Sequence, residues 1–380
     1  MIDKGRISAF QLAMMMIPTI LATGILLVPA ITVKHAKQDL WISPIWASVI
    51  GYFLVYILYR LHEMYPNKSL IEYSEILVGK KFSKLIGLMY AVFYLHVNGI
   101  IIREYAEFVV GTFLVKTPIL VVMAMMVLVC AISVYGGIEV LGRMAEIILP
   151  VVAFFFFFIL ITLLKDLDYH QIFPILGYGI KPSLLGSFVP QGWYSEFLLV
   201  SFLFPFVHDR QNGLKFGMVS VASVTILLVI ANVVTYMLYG KLTGAFTYPI
   251  MVAVRYVSIG DFLEHLEAIV MAIWVAGTFI KISVFFYINV ISISQFLKLS
   301  DYKPLVLPTA FLLVLFGWWS GTSLEELSDF LGTTGTFYLI SFQTIIPLFL
   351  FCLAKFRNNR KRKKGDNGIE KEKVSTQSPL

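Results

Sequence analysis

Long apolar runs separated by short polar stretches organise this chain, and neither a two-residue alternation nor an amphipathic helical stripe dominates the pattern. Bounding the runs by their flanking charges predicts ten helices at approximately 8–32, 41–61, 84–114, 118–135, 140–164, 187–207, 214–239, 262–296, 305–321 and 331–355. Most are near or above the roughly 18–20 residues needed to cross a bilayer. The third and eighth spans contain charge, and the loop 246–260, "FTYPIMVAVRYVSIG", is apolar enough to hold a short interfacial or re-entrant helix.

Two of these runs are interrupted. The first contains "PTILATGILLVPA" (18–30), with Pro18, Gly24 and Pro29. The sixth is "SFVPQGWYSEFLLVSFLFPFV" (187–207), with Pro190, Gly192 and Pro205. Proline removes a backbone donor, and the membrane interior has no water to replace it. A break at that depth must line a cavity or be buried in protein. Spans one and six each open a set of five, so the pattern predicts a 5+5 inverted repeat, with repeat one at about 8–164 and repeat two at about 187–355. Freed backbone groups and the Thr23 hydroxyl would then form a site at the midplane, suited to a small polar or zwitterionic ligand.

Composition agrees with a polytopic membrane protein. Of 380 residues, 58% are hydrophobic and only 14% charged, against about 25% charged in soluble domains. Mean hydropathy is +0.83. The first run is longer than a signal peptide's apolar core and lacks a small-residue cleavage site, so it is read as a retained span. Of 30 Lys and Arg, 21 fall on the side bearing the termini, seven on the other, and Arg103 and Lys281 lie within spans. The positive-inside rule therefore predicts cytoplasmic termini. The tail after about 356, residues 357–380, is polar, mixed in charge and expected to be disordered, its basic cluster acting as a topology anchor on anionic lipid rather than binding nucleic acid.

Charged groups inside spans cost about 2.5–3.5 kcal/mol each on insertion scales, so each asks for a partner or a role. Lys281 in "WVAGTFIKISVFFYINV" can meet a ligand carboxylate, stand where a transporter holds a cation, titrate, or pair with a carboxylate on another helix. Glu196, beside the sixth-span interruption, can attract an ammonium, carry a proton, cap a half-helix or pair with Lys281. The third span carries His96, Asn98, Arg103, Glu104 and Glu107. Arg103 and Glu107 are four apart and are expected to pair. Tyr94, Val97 and Ile101 share a helical face and offer an apolar wall. Glu139, Arg143 and Glu146 read as a local ion-pair ladder, and Asn232 and Asn289 as interhelical hydrogen-bonding residues. Cys130 and Cys352 sit in apolar runs and suggest no disulfide. A phosphate-binding Gly-rich loop, HExxH and a nucleophile elbow are all missing from the sequence, and the six histidines are scattered. No enzyme activity, metal or cofactor is expected. The candidate ligand-binding set is Ala22, Thr23, Gly24, Ile25, Tyr94, Val97, Asn98, Tyr194, Glu196 and Lys281.

Taken in order, "TGILLVP" (23–29), "REYAEFVVGTFLVKTPI" (103–119), "YGGIEVLGR" (135–143), the Glu196 region and "LEAIVMAIW" (266–274) make the chain resemble the B-subunit family of endospore germinant receptors. These are spore germination permeases of the amino acid–polyamine–organocation superfamily, and the resemblance spans residues 5 to about 356. It implies the ten-helix leucine-transporter fold and a place in the spore inner membrane. It also implies partnership with an A subunit and a C lipoprotein subunit, and nutrient sensing that leads to ion and dipicolinic acid release. The family's ligand pocket falls here on Ala22, Thr23, Gly24, Val97 and Lys281. Alanine-responsive members are similar to small transporters in having a Gly-rich break and a hydroxyl on the eighth helix. This chain has "ATG" and Lys281 instead, which leaves the nutrient open. A proton-coupled amino-acid symporter, with Lys281 or Glu196 exchanging protons, is the alternative function.

Overall fold

The computed structural model describes residues 3–255, 266–321 and 323–358, and these are helical throughout apart from short connections. In chain order the helices are α1 Ala9–Ala36, α2 Ser43–Met64, α3 Leu70–Val78, α4 Lys80–Thr112, α5 Ile119–Gly136, α6 Ile138–Leu163, α7 Lys181–Gly186, α8 Pro190–Ser195, α9 Val200–Leu203, α10 Gly213–Tyr239, α11 Pro249–Arg255, α12 Leu266–Leu297, α13 Val306–Trp319, α14 Leu324–Gly332 and α15 Thr334–Ile340. After α15 one π-helical turn, Ser341–Ile345, leads into a final helical stretch. Among the described residues seven continuous stretches are long and apolar enough to cross a membrane, or eight if α13 and α14, bent by 91°, form one span. With that bent pair counted, the difference from the ten expected spans has two sources. α1 and α2 run together through a 3-10 corner at Lys37–Ile42 as one stretch, Ala9–Met64. The sixth span is built from short pieces, none of them long enough alone.

Helix starts follow local chemistry. Ser8 caps α1 and Ser69 caps α3, each as a capping box completed by Gln11 and Glu72. Apolar exposure marks the faces turned to lipid. On α6, Ile147, Phe154 and Ile161, spaced by seven, are all about two-thirds exposed. α1, in contrast, is buried along nearly its whole length and packs against α10, α12 and α6. A second axis of packing joins α4 to α12 and α13.

The predicted break in the first span is not present as an interruption: α1 is a continuous helix, with Pro18 and Pro29 inside it. Each proline removes one rung of the ladder, and hydrogen bonding resumes around it. Two hydroxyls back-bond within the same helix, Thr19 Oγ1 donating to Met15 O at 2.7 Å and Thr32 Oγ1 to Val28 O at 2.6 Å. The interruption expected in the sixth span is present in another form. α8 gives way to a 3-10 stretch at Glu196–Leu199, then to α9 and a second 3-10 turn at Phe204–Phe206.

The loop 246–260 does hold a short helix, α11, while residues 256–260 lie outside the described residues, as does the basic tail from residue 359. Asn232 Nδ2 donates to Leu40 O and Asn289 Nδ2 to Ala91 O, as interhelical links. Glu139 pairs with Arg143, but Glu146 does not extend that ladder: its Oε2 instead accepts from Gln11 Nε2 of α1 at 3.0 Å. Cys130 and Cys352 are both free thiols.

At the N-terminal end of α1 the chain is clamped. Ile7 N donates to Phe206 O and His208 N to Ile7 O, both at 3.0 Å. Asp3 accepts from Ile138 N at 3.1 Å and from Tyr287 Oη at 2.9 Å. Between α4 and α13 the backbones approach so closely that a Cβ on Gly99 would lie 2.8 Å from Phe316 Cβ and 2.9 Å from its carbonyl carbon. Gly111, on the same helix, faces open space. Gly99→Ala therefore destabilises the purified protein by roughly 1–3 kcal/mol through overpacking, whereas Gly111→Ala is neutral or slightly stabilising; thermal unfolding in detergent compares the two.

Candidate functional site

Lys281 is fully buried in the middle of α12, and its ammonium has three donors. All three are used. Nζ lies 2.9 Å from Glu196 Oε1, 2.8 Å from Glu196 Oε2 and 3.0 Å from Thr23 Oγ1. Of the alternatives open to Lys281 and Glu196 in the sequence, the structure realises the ion pair between them. Glu196 is the first residue of the 3-10 stretch in the sixth span, and its carboxylate meets α12 at Lys281. Thr23 sits in α1 and also accepts from Trp193 Nε1 at 2.8 Å, so its two lone pairs serve α8 and α12 together. Trp274, about two turns before Lys281 on α12, donates its indole N–H to Ala22 O. Five side chains thus tie α1, the sixth span and α12 together.

Each ion here has been taken out of water, at an effective cost of several kcal/mol that only close pairing and further hydrogen bonds offset. Phe285, one turn from Lys281, adds its ring face 5.5 Å from Nζ. The surroundings are polar but incompletely satisfied. Tyr94 Oη, Asn98 Oδ1, Glu104 Oε1 and Thr278 Oγ1 are buried without hydrogen-bond partners among the described residues.

The other residues of the candidate set divide. Asn98 reaches the same region, its Nδ2 donating to Ile282 O at 3.3 Å. Tyr94 is fully buried, its ring edge-on to Phe285 at 6.0 Å. Gly24 faces Trp193, whose Cδ1 would lie 3.6 Å from an added Cβ. Val97 is buried in the core on α4. Tyr194 turns away from the cluster: its hydroxyl donates to Thr225 Oγ1 on α10 at 2.8 Å, because adjacent residues of a helix point about a hundred degrees apart. Ile25 lines an apolar cleft between α1, α6, α10 and α12 that Ala22 and Trp274 also border, together with Pro18, Leu21 and Phe156. Arg103 pairs with Glu107 at 2.6 Å, as its spacing predicts.

Two contributors escaped the sequence reading, Trp193 in "QGWYSE" and Trp274 in "LEAIVMAIW". Their signal was depth: tryptophan concentrates at membrane interfaces, so two at mid-span ask for a hydrogen-bond acceptor. A third is Gln343, in the π-helical turn, whose Oε1 accepts from Ser195 Oγ at 2.8 Å and so joins the last span to the sixth.

A cavity of about 730 Å³ opens at the far end of α1 from the clamp. Its walls are Leu27, Ala30 and Ile31 of α1, residues 244–247, and α14. Lys34 and His35 stand on one side, and Glu325 and Asp329 on the other. Leu27 is one helical turn from Thr23. Along α1 the cluster therefore lies between the clamp at one end and this polar vestibule at the other.

Comparison with known proteins agrees with this architecture. The family model described as "Spore germination protein" matches residues 6–323. Spore germination protein KB of Bacillus subtilis (strain 168) is 28% identical over 367 residues, covering 95% of this chain and 98% of its own. Among solved structures, a Na+-coupled sialic acid symporter in its substrate-bound outward-open state superposes with a TM-score of 0.65 at 14% identity, over 90% of this chain and 80% of its own. Mhp1, a nucleobase-cation-symport-1 family transporter in a closed conformation with bromovinylhydantoin bound, also superposes at 0.65, with 13% identity, over 91% and 78%. The fold is the leucine-transporter fold of these neighbours.

The share of the Thr23 hydroxyl in this cluster is measurable by substitution. Thr23→Val keeps the shape but leaves one Lys281 N–H and the Trp193 indole without an acceptor, at about 1–3 kcal/mol for each stranded donor. Thermal unfolding of the purified variant should show that loss, and Thr23→Ser should restore most of it.

Proposed function

The chain belongs to the spore germination protein family, a family of multi-pass membrane proteins that are not enzymes, and on that premise we propose that it is the nutrient-binding subunit of a germinant receptor. The observation that carries this reading is the Lys281–Glu196–Thr23 cluster, in which one saturated ammonium holds α1, the sixth span and α12 together. A small ligand bearing a carboxylate and an amine competes for both halves of that pair. Its carboxylate takes Lys281, its amine takes Glu196, and Thr23 and the Ala22–Gly24 backbone supply further polar contacts, with Tyr94, Val97 and Asn98 forming the wall.

The ligand reaches the cluster through the vestibule, whose opposed Lys34 and Glu325/Asp329 suit a zwitterion. With the termini cytoplasmic, that vestibule opens on the face away from the cytoplasm, toward incoming nutrient in the spore inner membrane. Exchange of the pair shifts the population between two packings of α1 and the sixth span against α12, and A and C subunits read the shift. A differential affinity is all that the signal requires; the ligand need not cross the membrane.

A proton- or cation-coupled symporter is the second reading, favoured by the fold shared with two cation symporters. Uptake of labelled amino acids into vesicles containing this chain alone supports the symporter, and absence of uptake with intact nutrient response supports the receptor.

Spores carrying Lys281→Ala should keep normal protein abundance by immunoblot and lose sensitivity to the responding nutrient by about tenfold or more, the equivalent of one lost charged contact. An unchanged dose-response across amino acids and nucleosides refutes a binding role for Lys281.

A further inference from the structure

Glu104 is a buried carboxylate near the cluster that takes no part in the Lys281–Glu196 pair. It lies on α4, seven residues from Val97 and three from Ile101, and α4 packs along α12. It is 2% exposed, and its Oε1 has no hydrogen-bond partner among the described residues. Lys281 and Glu196 both act on it electrostatically. Yet the ion pair of Lys281 is with Glu196, whose two oxygens take two of its three donors. The other groups facing this region are Tyr248, whose buried hydroxyl also has no partner and interacts with Glu104 and Glu107, and, on α4 itself, Arg103, whose Nε and Nη2 both donate to Glu107.

Charge accounting then decides the state of Glu104. Two ionised carboxylates and one ammonium would leave a net negative charge in the membrane interior, on an oxygen with nothing to receive it. An isolated buried charge is far costlier than a neutral carboxyl, so such a group takes up a proton instead. The balance reverses if Glu196 stops serving Lys281. The ammonium then becomes the uncompensated charge, and Glu104 is, among the described residues, a second buried carboxylate that interacts with it. Lys281 and Glu104 sit on α12 and α4, which pack closely against each other. Glu196 sits on the segmented sixth span.

We propose that Glu104 is a proton-binding site that replaces Glu196 as the partner of Lys281 when Glu196 is engaged elsewhere. In the paired state Glu104 is a neutral acid. When Lys281 turns to it, its O–H bond breaks, the proton passes to water, and the carboxylate takes the ammonium; no electron moves. Disengaging Glu196 therefore releases one proton from the protein. This holds whatever disengages Glu196, so it stands apart from the identity of the nutrient and from nutrient binding itself.

Infrared spectroscopy of the purified full chain in lipid nanodiscs reads this without any ligand, through the carbonyl stretch of a neutral carboxylic acid at neutral pH. The wild type minus Glu104→Gln difference should show that band, moved by deuterium exchange. Glu196→Gln should lose the same band, because Glu104 ionises to serve Lys281, while the protein stays folded. Lys281→Met should instead strengthen the band, as both carboxylates become neutral. The combination Glu104→Gln with Glu196→Gln should lower the melting temperature by more than the two single shifts added, since it strands Lys281. No band in the wild type minus Glu104→Gln difference overturns the proton site. A band of undiminished intensity in Glu196→Gln, or additive melting shifts in the double variant, overturns the exchange of partners.

Discussion

An ammonium placed in the middle of a membrane must be met by enough acceptors at once, and in this protein Lys281 meets that demand by drawing three chain segments to itself. Glu196 supplies two oxygens and Thr23 the third. The cost of desolvation makes partial satisfaction expensive, so α1, the sixth span and α12 are held in register by one group. Much of the surrounding polar chemistry is arranged around the same point. Trp193 shares the Thr23 hydroxyl, and Trp274 reaches the neighbouring Ala22 carbonyl.

An interaction of this kind resists graded deformation. Either the ammonium keeps its acceptors or it exchanges them for others, and the low local dielectric penalises the states between. That is the property a receptor subunit needs if occupancy is to be read as a change of packing rather than a small local shift. Other contacts couple the cluster to the rest of the helices. The sixth span is divided between α-helical and 3-10 segments, with Glu196 at the first of the 3-10 stretches. The last span carries a π-helical turn whose Gln343 bonds to Ser195, and the Asp3 clamp ties α6 and α12 to the N-terminal arm.

Helix 1 shows how sequence and structure diverge over the same residues. Two prolines and a glycine read as a break, yet α1 remains continuous and still contributes a backbone carbonyl and a hydroxyl to the cluster. A hydroxyl side chain is enough to present an acceptor from an intact helix, so unwinding is not required for α1 to take part. Tyr194 and Ile25 differ from expectation for a related reason. Neighbours in sequence to Glu196 and Gly24, they face α10 and the apolar cleft, because helical rotation rather than proximity along the chain decides where a side chain points.

By itself the sequence determined the all-helical membrane architecture, the approximate spans, the Arg103–Glu107 pair and the importance of Glu196 and Lys281. Hydrophobic length, i to i+4 spacing and the cost of a charge in an apolar run are all local quantities. The tertiary structure decided which of several partners Lys281 takes, because that choice joins residues 85 and 258 positions apart and depends on how three helices pack. It also decided that the first span stays intact while the sixth does not, that Trp193 and Trp274 belong to the cluster, that Gln343 ties the last span to the sixth, and that Glu104 is left with an unpartnered oxygen. Those outcomes follow from the balance of desolvation against hydrogen bonding at one crowded point, and a one-dimensional pattern carries no record of that balance.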